Sequence, residues 1–205
     1  WDMLVLDAEH GVLDPRTVED MVRASELRGI APIVRVTANQ PHIILRFLDT
    51  GAAGVHVPWV NTGPEAEAAV QAIKYHSRGV RGLGGVRATD YGQTMSMGDY
   101  TAKANAETLT VIHIETAEAA HNIADILAVP DVDVVFVGTS DLSHSLGVAG
   151  QVNHPDVQAA VERVFAATQG SGVAFGTIVR STESAQRWVR RGAQYVVVTL
   201  EAVLA

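Results

Sequence analysis

The chain has 205 residues, 47% hydrophobic and 19% charged, with a formal net charge of −8 and no cysteine. This composition fits one soluble globular domain with a sizeable core and excludes disordered and collagen-like classes. The absence of thiols excludes disulfides, thiolate metal sites and cysteine nucleophiles, and the acidic balance argues against nucleic acid as a partner. Apolar runs such as Val132 to Val137 are far shorter than the roughly 20 residues of a membrane span. No secretory signal is visible, so cytoplasm is the default location. Trp1 is not a natural start, and a longer chain is expected around this sequence.

In chain order, β-rich apolar runs span Met3 to Leu6, Pro32 to Val36, Gly54 to Val60, Leu109 to Ile114, Val132 to Val137, Ala174 to Val179 and Tyr195 to Thr199. Amphipathic helical segments lie between them, with starts such as Asp14-Pro15 and Gly63-Pro64-Glu65 and stops such as Gly29, Gly51 and Gly192. Alternation of this kind predicts parallel α/β architecture, either an open doubly wound sheet or a (β/α)8 TIM barrel. The barrel is preferred, because the glycine-rich Arg81-Gly82-Leu83-Gly84-Gly85 follows a helix and not a strand. Residues 1–205 then form a single barrel domain truncated at both ends, with the first strand upstream of Trp1. The stretch from Arg78 to Glu107 is a candidate active-site loop with a short helix near Tyr100. Arg187, Arg190 and Arg191 fall in one helical pattern and read as a solvated face.

In such a barrel, polar residues that close apolar strands converge on one mouth. The first strand runs into Asp7-Ala8-Glu9-His10, the second carries Arg35, the fourth runs into Glu115, and the fifth into Gly138-Thr139-Ser140-Asp141. Glu115 and Asp141 supply two hard oxygen ligands for Mg²⁺ or Mn²⁺ and leave positions for water and a chelating substrate. The plainer alternative is that each caps the helix that follows. Gly138, Thr139 and Ser140 offer backbone N–H groups to a carboxylate. Arg35 suits a carbonyl or enolate oxygen, or else a salt bridge with Asp7 or Glu9.

His10, beside two acids, reads as a proton shuttle. His113 lies two residues before Glu115 and faces the same side of a regular strand; His144 lies in the loop after Asp141, and His42, His76, His121 and His154 read as solvated. The only lysines, Lys74 and Lys103, fall in helical patterns away from strand ends. That disfavours imine catalysis and leaves a Lewis-acid metal as the way to stabilise an enolate.

Several motifs stand in one register: Asp7-x-Glu9-His10, Pro-Ile-Val-Arg35, Leu48-Asp49-x-Gly51, Gly54-Val-His-Val-Pro58, Arg78-Gly79-Val80-Arg81-Gly82, Ile114-Glu115-Thr116 and Phe-Val-Gly138-Thr-Ser-Asp141-Leu-Ser. Over nearly the whole chain the sequence resembles the HpcH/HpaI aldolases, the class II metal-dependent pyruvate aldolases. The resemblance implies reversible cleavage of a 4-hydroxy-2-oxo acid to pyruvate, or a related 2-oxo acid, and an aldehyde. It implies a divalent metal (Mg²⁺, Mn²⁺ or Co²⁺) on Glu115 and Asp141, Arg35 on the substrate carbonyl oxygen, and the Gly138–Ser140 backbone on its carboxylate. His10 becomes the acid/base group, and Asp49, otherwise a helix-end residue, supports that histidine from a neighbouring subunit. A homo-hexamer is implied, with an exchanged final helix beyond Ala205. Two positions depart from the family pattern, Thr139 where proline is usual and His113 where glutamine is usual, which bears on the carboxylate-binding turn and on the metal's surroundings. Competing readings are a lyase on coenzyme A thioesters or a decarboxylase on the same fold, and an inactive barrel that only binds a 2-oxo acid.

Overall fold

Asp14 and Pro15 start a helix for the reason their order suggests. Pro15 opens the helix where an N–H would go unused, and the Asp14 carboxylate accepts from the Thr17 N–H at 2.8 Å. The Gly63-Pro64-Glu65 start is firmer than its glycine and proline alone suggest. Glu65 Oε2 accepts from the N–H groups of Asn61 at 2.6 Å and Thr62 at 3.1 Å, while the Thr62 hydroxyl accepts from the Glu65 N–H at 3.3 Å. The reciprocal pairing satisfies amides that the helix itself cannot.

The computed structural model describes residues 1–204; Ala205, and the exchanged helix expected after it, lie outside them. Two compact units are distinguished, Trp1–Pro58 with Glu67–Val111, and Trp59–Ala66 with Ile112 onward. The first contains β1 (Met3–Asp7), α1 (Pro15–Glu26), β2 (Ala31–Arg35), α2 (Pro41–Leu48), β3 (Gly54–Val57), most of α3 (Gly63–Ile73), a 3₁₀ segment (Arg87–Gly92), α4 (Met97–Glu107) and the start of β4 (Leu109–Ile114). The second holds the rest of β4, then α5 (Ala117–His121), α6 (Ile123–Leu127), β5 (Val134–Val137), α7 (Thr139–Ser145), α8 (Pro155–Thr168), β6 (Ala174–Val179), α9 (Thr182–Arg191), β7 (Tyr195–Val198) and α10 (Leu200–Leu204).

Strand neighbours follow chain order in each unit, β1-β2-β3-β4 in the first and β4-β5-β6-β7 in the second. The parallel pairing sets Asp7 opposite Arg35 and Arg35 opposite His56, and in the second unit Val137 opposite Thr177. A doubly wound sheet would reverse its order at a switch point; sequential order is that of successive (β/α) barrel units, and the fold class is α/β of the (β/α)8 TIM type. Both faces of the strands are covered, so Val34, Val55, Val57, Val111, Val135 and Val137 are fully buried. At Gly54 an added Cβ would meet the Leu109 carbonyl oxygen at 2.6 Å, so the β3–β4 approach requires glycine.

Several expectations shift. The third strand stops at Val57 and not at Val60, because Pro58 lacks an N–H and Trp59 adopts φ 57°. The fifth begins at Val134, after a turn in which Asp131 has φ 64°. His144 lies in the helix α7 and not in a loop. Arg191 is not simply solvated: it pairs with Glu162 at 2.5 Å and lies over the rings of Phe165 and Trp188, 4.6 and 4.4 Å from their centroids.

Lys74, expected within a helical pattern, lies just past the end of one and is buried. It follows α3, is 3% exposed, and its Nζ donates to the carbonyls of Asn105 at 3.0 Å and Thr108 at 2.8 Å. These acceptors stand at the end of α4, where carbonyls lack helical donors and positive charge is favoured. Lys74→Met should therefore lower stability by about 2–3 kcal/mol, the cost of leaving buried acceptors unpaired. Urea unfolding of parent and variant measures this, and an unchanged midpoint would contradict the role.

Candidate active site

In the first unit the register places Asp7 and Arg35 side by side at the ends of β1 and β2. Arg35 Nε donates to Asp7 Oδ1 at 2.9 Å, one terminal nitrogen binds Asp7 Oδ2, and the other lies 3.2 Å from Glu9 Oε2. Asp7 Oδ1 also accepts from the N–H groups of Glu9 and His10, each at 3.1 Å. One carboxylate thus holds the guanidinium and shapes the turn that presents His10, whose side chain is exposed. The salt-bridge alternative for Arg35 is realised with both acids named for it, and the fork geometry is the bidentate one that guanidinium favours.

Asp49 caps the C-terminus of α2, and its Oδ1 accepts from Arg81 Nη2 at 3.2 Å. Arg81 is buried and lies 4.6 Å from the Tyr75 ring centroid. Within this unit Arg35 joins Asp7 and Glu9, whereas Asp49 is engaged by Arg81.

In the second unit Glu115 closes β4 and is 2% exposed. Its Oε1 accepts from the Trp59 N–H at 2.7 Å, and its Oε2 lies 3.1 Å from His113 Nδ1. His113 does share the side of the strand that Glu115 takes, and it stacks on Phe136 at 4.9 Å. Glu115 does not cap the following helix. Thr116 does, through a hydroxyl that accepts from the Ala119 N–H at 3.0 Å. Nor does Glu115 sit in open solvent, as a barrel-mouth position suggests.

Gly138 donates its N–H to the Ile114 carbonyl at 3.2 Å, and a Cβ built on it would lie 3.3 Å from Glu115 Oε2. Glycine here adds no side chain of its own against Oε2, which His113 already meets. Thr139, Ser140 and Asp141 form the first turn of α7. Asp141 is half-buried there and does not cap α7: Gly138 holds the N-cap position with no side-chain cap hydrogen bond, and Asp141 stands in the first turn, where negative charge is favoured. No group of three or more His, Asp or Glu side chains stands together as a cage among the described residues. Glu115, just past β4, and Asp141, in the first turn of α7, are oxygen donors of the type that a hard divalent cation takes while keeping positions for water and substrate oxygens.

Trp59 was not legible as a site residue. Its backbone occupies the left-handed region, which a bulky side chain rarely adopts, and in that conformation its N–H reaches Glu115. Only the preceding Pro58 hints that the strand ends there.

An α/β fold with carboxylates and an arginine at strand ends describes a class of barrel enzymes. The model of the HpcH/HpaI aldolase/citrate lyase family matches residues 1–205, and the chain belongs to that family. It is 36% identical over 206 residues to the 4-hydroxy-2-oxo-heptane-1,7-dioate aldolase of Escherichia coli, covering 100% of this chain and 78% of that protein. It is 37% identical over 199 residues to the 5-keto-4-deoxy-D-glucarate aldolase of Shigella boydii, covering 97% and 76%. Among solved structures, a HpcH/HpaI aldolase/citrate lyase family protein from Burkholderia cenocepacia superposes with a TM-score of 0.92 at 34% identity, over 100% of this chain and 81% of that one. The chain is a carbon–carbon lyase acting on small molecules. No helix among the described residues is long and apolar enough to cross a membrane.

Burial alone would raise the Asp7 pKa, but the hydrogen bond and charge of Arg35 and the N–H groups of His10 and Glu9 outweigh it and hold the acid below its usual 3.8. An acid with a lowered folded pKa adds stability above its ordinary value and loses it as pH falls through the folded value. The stability gap between parent and Asp7→Asn should thus be full at neutral pH and shrink below about pH 4. Denaturant titrations across that range measure it; a gap that widens in acid would contradict the Arg35 pairing.

Proposed function

We propose that this chain is a divalent-metal-dependent aldolase that cleaves 4-hydroxy-2-oxo acids reversibly to pyruvate, or a related 2-oxo acid, and an aldehyde. The observation that carries this reading is the setting of Glu115, a recessed carboxylate with one oxygen on the Trp59 N–H and the other facing the side-chain-free Gly138, three residues before Asp141. Glu115 and Asp141 are the proposed holders of Mg²⁺, Mn²⁺ or Co²⁺. When bound, such a cation polarises the 2-oxo carbonyl as a Lewis acid.

The chain's own groups do the rest. Arg35, fixed by Asp7 and Glu9, places a permanent cation where negative charge develops on the carbonyl oxygen as the bond between C3 and C4 breaks. His10, its backbone tied to Asp7, takes the proton of the C4 hydroxyl and returns one to C3. Thr139 and Ser140, with the Gly138 backbone, orient the 2-oxo acid carboxylate, and His113 sets the polar wall beside Glu115. In a homo-hexamer, Asp49 of a neighbouring copy supports His10. A cytoplasmic location belongs to the same reading.

Lys74 is sealed by two carbonyls and Lys103 is exposed on α4 beside Glu107, which agrees with a route that needs no imine. Free pyruvate separates an aldolase from an enzyme that requires a thioester. Deuterium exchange into its methyl group should require a divalent cation, stop on chelation and return with Mg²⁺, Mn²⁺ or Co²⁺. Arg35→Ala should slow that exchange by roughly 10²–10³-fold, as loss of an oxyanion donor does. Full exchange in excess chelator would overturn the metal reading, and a parental rate in the arginine variant would return Arg35 to a purely structural role.

A further inference from the structure

After Val57 the chain passes through Pro58 into Trp59, whose backbone has a φ of 57°. Polar contacts hold this stretch in place. The Trp59 N–H donates to Glu115 Oε1 at 2.7 Å, the Asn61 side chain accepts from the Thr116 hydroxyl, and the Asn122 side-chain amide donates to the Asn61 carbonyl at 3.0 Å. Val60, fully buried, supplies the apolar anchor. None of these contacts requires an indole. The amide is available from any residue but proline, and the left-handed region favours glycine, asparagine or aspartate over a bulky side chain. Burial does not account for the ring either, because Trp59 is 52% exposed. A half-exposed aromatic on a strained backbone, tied to a proposed metal holder, points to a role in contact with a ligand.

We propose that the Trp59 indole is a wall of the substrate site and a determinant of specificity for the aldehyde half of the substrate. This rests on the aldolase reading, because it takes Glu115 as a holder of the metal. Trp59 is joined to that carboxylate through its own amide, so a substrate bound at the cation comes within reach of the ring. The polar groups of the 2-oxo acid half already have proposed partners; the portion without one is the chain beyond C4. An indole offers apolar faces and a single N–H donor. It therefore favours an aldehyde half that carries methylene or aromatic carbon next to C4 over a short one.

The test is retro-aldol cleavage of the 4-hydroxy-2-oxo acids built from pyruvate and ethanal, propanal, butanal or pentanal, by the full chain, Trp59→Gly and Trp59→Phe. Glycine is at ease at φ 57° and keeps the amide for Glu115, so it removes the ring while leaving that contact. In the parent, kcat/KM should rise about threefold with each added methylene, the worth of moving one from water onto an apolar surface. Trp59→Gly should make the series flat, and Trp59→Phe should restore part of the slope. Cleavage by the parent that ignores chain length, or a slope that survives in Trp59→Gly, would overturn the wall and leave the aldolase reading intact. Sedimentation showing that Trp59→Gly breaks up an assembly formed by the parent would also overturn it, by placing the ring between subunits. A second measurement needs no aldol chemistry. Unbranched 2-oxo acids of the same lengths lack the 4-hydroxyl and are not cleaved, and their Kd values, from calorimetry at saturating Mg²⁺, should fall with chain length in the parent and not in Trp59→Gly. That result, without cleavage of any hydroxy acid, would count against the aldolase reading and leave the wall standing. Kd values independent of chain length in the parent would overturn the wall, and absence of both binding and cleavage would overturn both readings.

Discussion

A carboxylate at the end of a buried strand persists only where donors meet it, since taking an acid out of water without partners costs several kcal/mol. Glu115 is met by the Trp59 N–H and faces His113 Nδ1, and much of the local structure of the second unit serves that arrangement. Pro58 ends the strand, Trp59 turns into the left-handed region to aim its N–H, Thr116 takes over the helix cap so that Glu115 need not, and Gly138 contributes no side chain toward Oε2. The stacking of His113 on Phe136, and of Phe136 edge-on to Tyr195 at 6.0 Å, fixes the imidazole in turn. A carboxylate positioned this firmly is available to a cation without reorganisation.

The first unit solves the complementary problem of holding a cation still. Arg35 is 18% exposed in its side chain and spans Asp7 and Glu9, so its charge is balanced and its orientation set. Because Asp7 also binds the amides of Glu9 and His10, a change at Asp7 disturbs the guanidinium and the histidine turn together. Lys74 and Arg81 show the same economy of charge farther along the unit, one locking the end of α4 and the other joining α2 to Tyr75.

What could be read from the sequence was what depends on local periodicity. The Asp14-Pro15 start, the strand from Leu109 to Ile114 and the shared side of His113 and Glu115 follow from residue order alone, because strand alternation and helix capping act over two to four residues. The pairing of Arg35 with Asp7 was legible as an alternative because both residues close neighbouring strands. The rest was set by contacts between distant residues. Nothing near position 59 announces a backbone amide reserved for a carboxylate 56 residues later, and the helical pattern around Lys74 does not announce the carbonyls at the end of α4 that its ammonium meets. Arg191 likewise looked solvated because its partner Glu162 lies on another helix. The segment after Asp141 misled in the other direction: His144 reads as a loop residue, yet it lies within α7, which Gly138 caps.

The central claim is that Glu115 is a metal ligand and not merely a buried structural acid. The most direct measurement is calorimetric titration of Mn²⁺ into the metal-free parent and into Glu115→Gln, with circular dichroism confirming that both are folded. Glutamine keeps the shape and an acceptor for the Trp59 N–H but removes the charge. Saturable Mn²⁺ binding in the parent that is lost in the folded variant is the expected result. Equal affinity in both would contradict the claim and leave Glu115 as a residue that only holds Trp59 and His113 in place.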